Sequence, residues 1–205
     1  MDTLIIEKKN EVYITVDCDP NIQREISEFF TFYVPGYKFM PAFRNRMWDG
    51  KIRLYSQKTK EIYFGLFPYI RAFAEERGYQ IVSGEDVEIN NKVDKEIVKK
   101  FSNSLGQKFE ARDYQIDAIY HSLKFNRALL LSPTASGKSF IIYSLIRYYS
   151  HLIKDSPNNR ILLIVPTTSL VEQMYSDFQS YGWNVKKNCH RLYSGYSNQT
   201  DKKVL

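Results

Sequence analysis

Glu11 to Asp17 (EVYITVD) alternates polar and apolar positions and sets Val12, Ile14 and Val16 on one face, the pattern of a half-buried strand. Leu4 to Ile6 is placed to pair with it. Asp19–Pro20 reads as an N-cap followed by proline at the first helical position. Ile22, Ile26, Phe29 and Phe30 then recur at helical spacing, so an amphipathic helix is expected over 20–32. Lys51 to Tyr55 and Glu61 to Phe64 are strand-like and flank a polar turn at Gln57 to Lys60, which predicts a hairpin. Phe67 to Arg77 reads as a short helix stopped by Gly78. Tyr79 to Val82 follows as a last strand. Residues 1–84 thus form a small α+β unit.

Ser83 to Lys92 is polar and acidic, a linker by composition, and Asp94 to Ser102 has the cap and spacing of a connecting helix. A boundary segment is therefore drawn over 85–107. From 108 to 205 the pattern changes. Ala111 to Phe125 places Tyr114, Ala118, Ile119 and Leu123 at helical spacing. An apolar run, Ala128 to Leu131, predicts a buried strand, and a helix is expected from Phe140 to about Ile153. Asp155 to Asn159 is a turn cluster. Arg160 to Val165 is continuously apolar after its first residue, the signature of a parallel strand covered on both faces. Pro166 to Thr168 breaks it. Ser169 to Tyr181 is helical with Gly182 as its stop, and Val185 to Tyr193 has room for one more strand. Strands alternating with helices predict a doubly wound parallel sheet.

Composition narrows the classes. At 205 residues the chain accommodates one large domain or two small ones. The net charge of +6 suits a polyanionic partner. Most of that charge is local. From Gly36 to Lys60 there are seven basic residues and one acidic, Asp49, whereas residues 1–84 as a whole carry 12 basic and 11 acidic. Tyr37, Phe39, Phe43, Trp48 and Tyr55 are interleaved with the basic positions. Basic groups neutralise phosphates, and aromatic rings stack on bases or wedge into a fork. Arg44, Arg46, Lys51, Arg53 and Trp48 are the candidate DNA contacts. The alternative is an aromatic core beneath a solvated basic face. The two cysteines, Cys18 and Cys189, have neither metal-ligand nor disulfide-framework spacing, which fits a reducing compartment. No run of ~18 apolar residues and no signal-peptide pattern is present, so a cytoplasmic location without membrane contact is expected, in the host's cytoplasm if the protein is viral.

The candidate chemistry lies in Arg127 to Ser139 (RALLLSPTASGKS). Strand, loop and helix in that order are what a phosphate-binding loop requires. Backbone N–H groups of Thr134, Ala135, Ser136 and Gly137 can turn inward at the positive end of the following helix. Gly137 allows close approach to phosphates. Lys138 reaches the β- and γ-phosphates of ATP, and the Ser139 hydroxyl is suited to Mg²⁺. Against G-x-x-x-x-G-K-[ST], Ser132 stands in place of the first glycine.

Three segments in order carry a family resemblance. Arg112-Asp113-Tyr114-Gln115 resembles the Q-motif of superfamily 2 helicases, Ser132 to Ser139 their motif I in its P-T-x-x-G-K form, and Pro166 to Gln173 their motif Ia, P-T-x-x-L-x-x-Q. The resemblance spans roughly 112–173. It implies a RecA-like parallel sheet, here partial, in 108–205 as the first part of a motor domain, with 1–84 as a nucleic-acid-binding accessory domain. It implies that Gln115 reads adenine through its amide, with Arg112 beside the base, that Lys138 is the catalytic cation, and that Thr167 and Thr168 touch a nucleic-acid backbone. It implies ATP and Mg²⁺ as cofactors. It also implies branched or duplex DNA, such as forks and Holliday junctions, or RNA–DNA hybrids, as partners of a monomer. The implied activity is ATP-dependent helicase remodelling of branched nucleic acids in recombination, repair and replication. The alternatives are a duplex translocase that does not separate strands, and a non-motor nucleic-acid-binding module. No D-E pair follows Gln173, where the family places its metal-binding acid, so this chain by itself is not expected to hydrolyse ATP appreciably.

Overall fold

The computed structural model describes residues 2–84, 86–87, 91–197 and 199–205. The chain divides into two compact units, Met1–Ile89 and Asn90–Leu205, each with its own core.

The first unit is built on a mixed five-stranded sheet. Its strands are β1 (Thr3–Lys8), β2 (Tyr13–Asp17), β5 (Tyr55–Ser56), β6 (Glu61–Tyr63) and β7 (Gln80–Ser83), in the order β5-β6-β2-β1-β7. β1 and β2 are antiparallel with Ile6 opposite Val16, and β7 joins β1 in parallel with Leu4 opposite Ile81. Period-2 alternation buries Leu4 and Ile6 of β1 and Ile14 and Val16 of β2 on the same side. Val12, expected on that face, precedes β2 and is 52 % exposed. Helices α1 (Pro20–Phe29) and α3 (Phe67–Arg77) cover the buried face with Ile22, Ile26, Ile70 and Phe73. The Asp19 carboxylate accepts from Asn21 N–H at 2.9 Å and fixes the start of α1. Gly78, at φ 70°, ends α3 in the left-handed conformation open to glycine.

The first helix ends at Phe29 rather than 32. Thr31–Tyr33 becomes strand β3 and pairs with β4 (Lys51–Arg53) in a separate two-stranded sheet. The expected hairpin is accordingly split. Its first arm pairs backward with β3, and only Tyr55–Ser56 pairs with β6. Thr31, Phe32 and Tyr33 are β-branched or aromatic, and such side chains fit a pleated surface better than a helix end. Between β3 and β4 the chain makes a 3₁₀ turn at Tyr37–Phe39 and a one-turn helix α2 (Pro41–Arg44).

The expected linker falls partly outside the described residues, at 85 and 88–90. Of the rest, Val87 is buried in the first core, whereas Asn91 donates to Leu123 O at 2.9 Å and so belongs to the second unit.

The second unit holds α4 (Lys95–Asn103), α5 (Asp113–Phe125), α6 (Lys138–Leu152), α7 (Thr168–Ser180) and α8 (Val185–Asn188). The helix expected as a connector, α4, places Val98 in the same core as Ile116 and Ile119 of α5. Tyr143 is fully buried at the centre of a ring cluster with Phe140, Phe178, Tyr181 and Trp183.

The strand expectations are corrected here. Ala128 to Leu131 forms no ladder, and Leu129 and Leu131 are 85 % and 89 % exposed. Arg160 to Val165 contributes a single bridge, Ile161 to Val204, and Cys189 bridges Val204 from the other side, both in parallel. Val185 to Tyr193 starts as α8, capped by the Asn184 side chain accepting from Lys187 N–H at 3.0 Å. The expected doubly wound sheet is therefore reduced to a short parallel strip, 161–163 beside 203–205 beside 189–190. Ile161 N–H donates to Lys203 O and His190 N–H to Val204 O, both at 2.8 Å. A strand exists only as half of a ladder. Apolar sequence alone does not create it, and among the described residues no segment runs alongside 128–131.

Candidate nucleotide site and nucleic-acid interface

Loop 132–137 leads directly into α6. Ala135 at φ 62° and Gly137 at φ 77° turn the backbone through the left-handed region just before the helix. Phe140 N–H and Ile141 N–H both turn back to Gly137 O, at 3.0 and 3.4 Å. The N–H groups of Lys138 and Ser139 precede the first intrahelical donor, Phe140 N–H, and so belong to the unpaired N–H groups at the positive end of a 15-residue helix. Lys138 Nζ donates to Ser132 O at 2.9 Å and Pro133 O at 2.7 Å. An ammonium has three donors, so one remains for an anion. The Ser132 and Ser136 hydroxyls hydrogen-bond across the loop mouth. This bond occupies the position where the usual motif has glycine.

The start of α5 holds the loop from behind. Tyr114 OH donates to Ser136 O at 2.9 Å, and Gln115 Nε2 donates to the same carbonyl at 3.1 Å. Gln115 Oε1 accepts from Arg112 N–H at 3.0 Å, and Arg112 Nη1 donates to Tyr114 OH at 3.0 Å. Gln115 is only 5 % exposed, and a Cβ on Gly137 would lie 2.4 Å from its Nε2. Glycine at 137 is thus required twice, by its φ and by this close approach. Gln115, which the resemblance assigns to adenine, is engaged within the protein in this structure. Each end of the amide already serves the protein, and one N–H and one lone pair remain on a buried side chain. Arg112 stays exposed. Sequence reasoning read Tyr114 only as a helix-core position. The signal that was available is its place beside Gln115 in the Arg112–Gln115 segment.

Ser139 sits one residue into α6, near the Tyr181 phenol, whose pKa is pushed up mainly by burial. Among the described residues no group of three or more His, Cys, Asp or Glu side chains converges as a metal site. Thr167 is the N-cap of α7, its Oγ1 accepting from Leu170 N–H at 3.3 Å, and Thr168 is the first helical residue; both are exposed. Further along α7, Glu172 pairs with Arg191 and accepts from Tyr193 OH. The Tyr193 hydrogen bond first, then Arg191, holds the Glu172 carboxyl below the usual range.

In the first unit the candidate DNA contacts separate into two groups. Arg53 is committed to Asp49, the one acid of 36–60, and its hydrogen bond is the main cause of the lowered Asp49 pKa. Lys51 lies over the Tyr33 ring at 4.9 Å, and Trp48 Nε1 donates to Lys51 O at 2.8 Å. These three build the excursion between β3 and β4. Arg44 and Arg46 are exposed and line an open cavity of about 610 Å³ together with Lys38, Phe43, Met47 and Trp48. The nucleotide loop and this basic excursion belong to different units.

Residues 5–84 match the family described as DNA helicase UvsW, N-terminal, and residues 108–205 match that described as type III restriction enzyme, res subunit. The ATP-dependent DNA helicase uvsW of Enterobacteria phage T4 is 36 % identical over 174 residues, covering 82 % of this chain. The chain spans 34 % of that relative's length. Two solved structures of UvsW from bacteriophage T4 superpose over 100 % of the chain. One has a TM-score of 0.84 at 29 % identity, with 73 % of its own length covered. The other has a TM-score of 0.85 at 30 % identity, with 42 % covered. An N-terminal unit that matches the UvsW model, followed by a segment that matches the restriction-enzyme res subunit, makes the chain similar, unit by unit and in that order, to the N-terminal part of the UvsW helicase.

Proposed function

We propose that this chain supplies the ATP-binding loop and the DNA-gripping module of an ATP-dependent helicase that remodels branched DNA, forks and junctions above all, with RNA–DNA hybrids as further substrates. The observation that carries the reading is the loop at the start of α6. Backbone N–H groups at the helix start and the Lys138 ammonium converge where a triphosphate would meet a helix N-terminus, on a loop whose Ser136 carbonyl is anchored from behind by Tyr114 and Gln115. Lys138 would hold the β- and γ-phosphate oxygens and stabilise charge on the transferring group. Ser139, with lone pairs on a hydroxyl at the first turn, would help to hold Mg²⁺, which would supply neutralisation of the phosphate charge. Thr134, Ala135, Ser136 and Gly137 would line the phosphates with backbone. Arg112, exposed beside Tyr114, would flank the base. Gln115 would act first by positioning the loop. Thr167 and Thr168 offer hydroxyl and N–H groups at the start of α7 to a strand phosphate.

No D-E pair, the family's metal-binding acid, follows Gln173 within these 205 residues. Loss of such an electrostatic group typically lowers turnover by about 10²–10³-fold or more. The pure 205-residue protein is therefore expected to bind ATP without appreciable hydrolysis, with or without DNA. A phosphate-release assay checks this, and DNA-stimulated turnover would overturn it. On the DNA side, Arg44→Ala with Arg46→Ala is expected to weaken duplex binding. It should also flatten the plot of log K against log salt by about 0.9 per lost phosphate contact. An unchanged slope would return both arginines to a solvated face.

A further inference from the structure

The excursion between β3 and β4 exposes apolar side chains that its own packing does not need. Phe39 is 85 % exposed and Met47 81 %. Beneath them the excursion is well built. Tyr33 stacks on Tyr37 at 4.7 Å, and Tyr37 meets Phe43 edge-on at 4.8 Å. Gly50, at φ 79°, lets Tyr37 sit where a Cβ would lie 2.2 Å from its ring. Trp48 is tied to Lys51 O, and Arg53 to Asp49. So of the aromatic residues that the sequence marked as base-stacking candidates, Tyr37, Phe43 and Trp48 are scaffold, and Phe39 is a free tip together with Met47, which was not marked. Lys38 and Arg44 lie next in sequence to Phe39 and Phe43, and Arg46 precedes Met47. The nearest acid, Asp49, is already paired.

Exposed apolar side chains interleaved with cations on a packed aromatic base fit one kind of partner: a polyanion that opens an apolar face beside its charges. Proteins that unstack nucleic acid use Phe, Leu, Ile, Met or Pro as wedges in this way. We propose that Phe39 and Met47 form a wedge for the single-strand–duplex junction of DNA, entering the opened base step while Lys38, Arg44 and Arg46 hold the flanking phosphates. The proposal rests on the reading of this excursion as the DNA interface and adds what it recognises, the junction rather than the duplex. A regular duplex offers the arginines its phosphates but offers the wedge no opened step.

The test uses the 205-residue chain and two DNAs of one sequence, a fork and a blunt duplex, each with 2-aminopurine at the same paired position, which in the fork adjoins the junction. The unmodified protein is expected to prefer the fork by about tenfold, a base-stacking contribution, and to raise 2-aminopurine fluorescence only there. Phe39→Ala with Met47→Ala should abolish the fluorescence rise and the fork preference while leaving duplex affinity and salt slope unchanged. Both side chains are exposed, so circular dichroism should be unaltered. Arg44→Ala with Arg46→Ala should weaken binding to both DNAs. If the apolar variant keeps its fluorescence rise, or loses fork and duplex binding equally, the wedge is overturned. If the arginine variant binds both DNAs as before, the interface reading itself fails, and the wedge with it.

Discussion

Lys138→Ala is expected to abolish detectable ATP binding by this chain at micromolar nucleotide. The ammonium is held at the loop mouth by Ser132 O and Pro133 O, with a third donor left for phosphate. A hydrogen bond to a charged group is worth about 1.5–3 kcal/mol, which corresponds to roughly ten- to a hundredfold in affinity. The substitution removes two of the loop's internal bonds as well, so a larger loss than for the phosphate contact alone is expected. The acceptors left behind are carbonyls at an exposed loop, which water can satisfy, so the fold should survive. A fluorescent ATP analogue titrated against both proteins measures the effect. Equal affinity of the two would remove Lys138 from the site and, with it, the principal support for a nucleotide-binding loop. Binding is read directly because this chain is not expected to turn over ATP, so an activity assay would be silent on a lost phosphate contact.

The second large effect is on stability. Tyr143→Ala is expected to destabilise the second unit by about 3–5 kcal/mol. Tyr143 is fully buried and touches Phe140, Phe178, Tyr181 and Trp183, and its hydroxyl donates to Leu105 O at 3.1 Å. Truncation empties the centre of that ring cluster and leaves Arg147, which bonds the same hydroxyl, without that partner. Tyr143→Phe keeps the ring and removes only the hydroxyl, so it should cost about 1 kcal/mol. The two tryptophans separate the units, Trp48 in the first and Trp183 in the second. In a Trp48→Phe background, denaturation followed by Trp183 emission reads the second unit alone. A loss under about 1 kcal/mol for the alanine variant would mean that the cluster collapses to fill the space. Phe140 opens the helix that carries Lys138 and Ser139, so a loosened cluster should also weaken ATP binding.

Much of the helical layout was legible in the chain. Asp19–Pro20, Asp94 and Gly78 mark helix ends by local chemistry, and α1, α4 and α3 begin or end at those signals because capping depends on neighbours a few residues away. The candidate residues of the loop were equally legible, since Gly137, Lys138 and Ser139 are adjacent in sequence. Strand pairing was less so. Lys51 to Tyr55 is strand-like wherever it pairs, and its pairing with Thr31–Tyr33 depends on a helix ending early some twenty residues before it.

By itself, then, the sequence determined the longer helices, the order of the motifs, the concentration of positive charge in 36–60 and the residues at the mouth of the loop. Those properties follow from side-chain chemistry and short-range spacing. Only the tertiary structure decided that Gln115 and Tyr114 both hold Ser136 O, that Arg53 is spent on Asp49, and that Tyr33, Tyr37 and Phe43 are scaffold while Phe39 and Met47 are the exposed tips. It also decided that the apolar run 128–131 is no strand here. Each of these depends on what lies across from a residue in space. A hydrogen bond, an ion pair or a ladder needs two partners, and a linear pattern names only one of them.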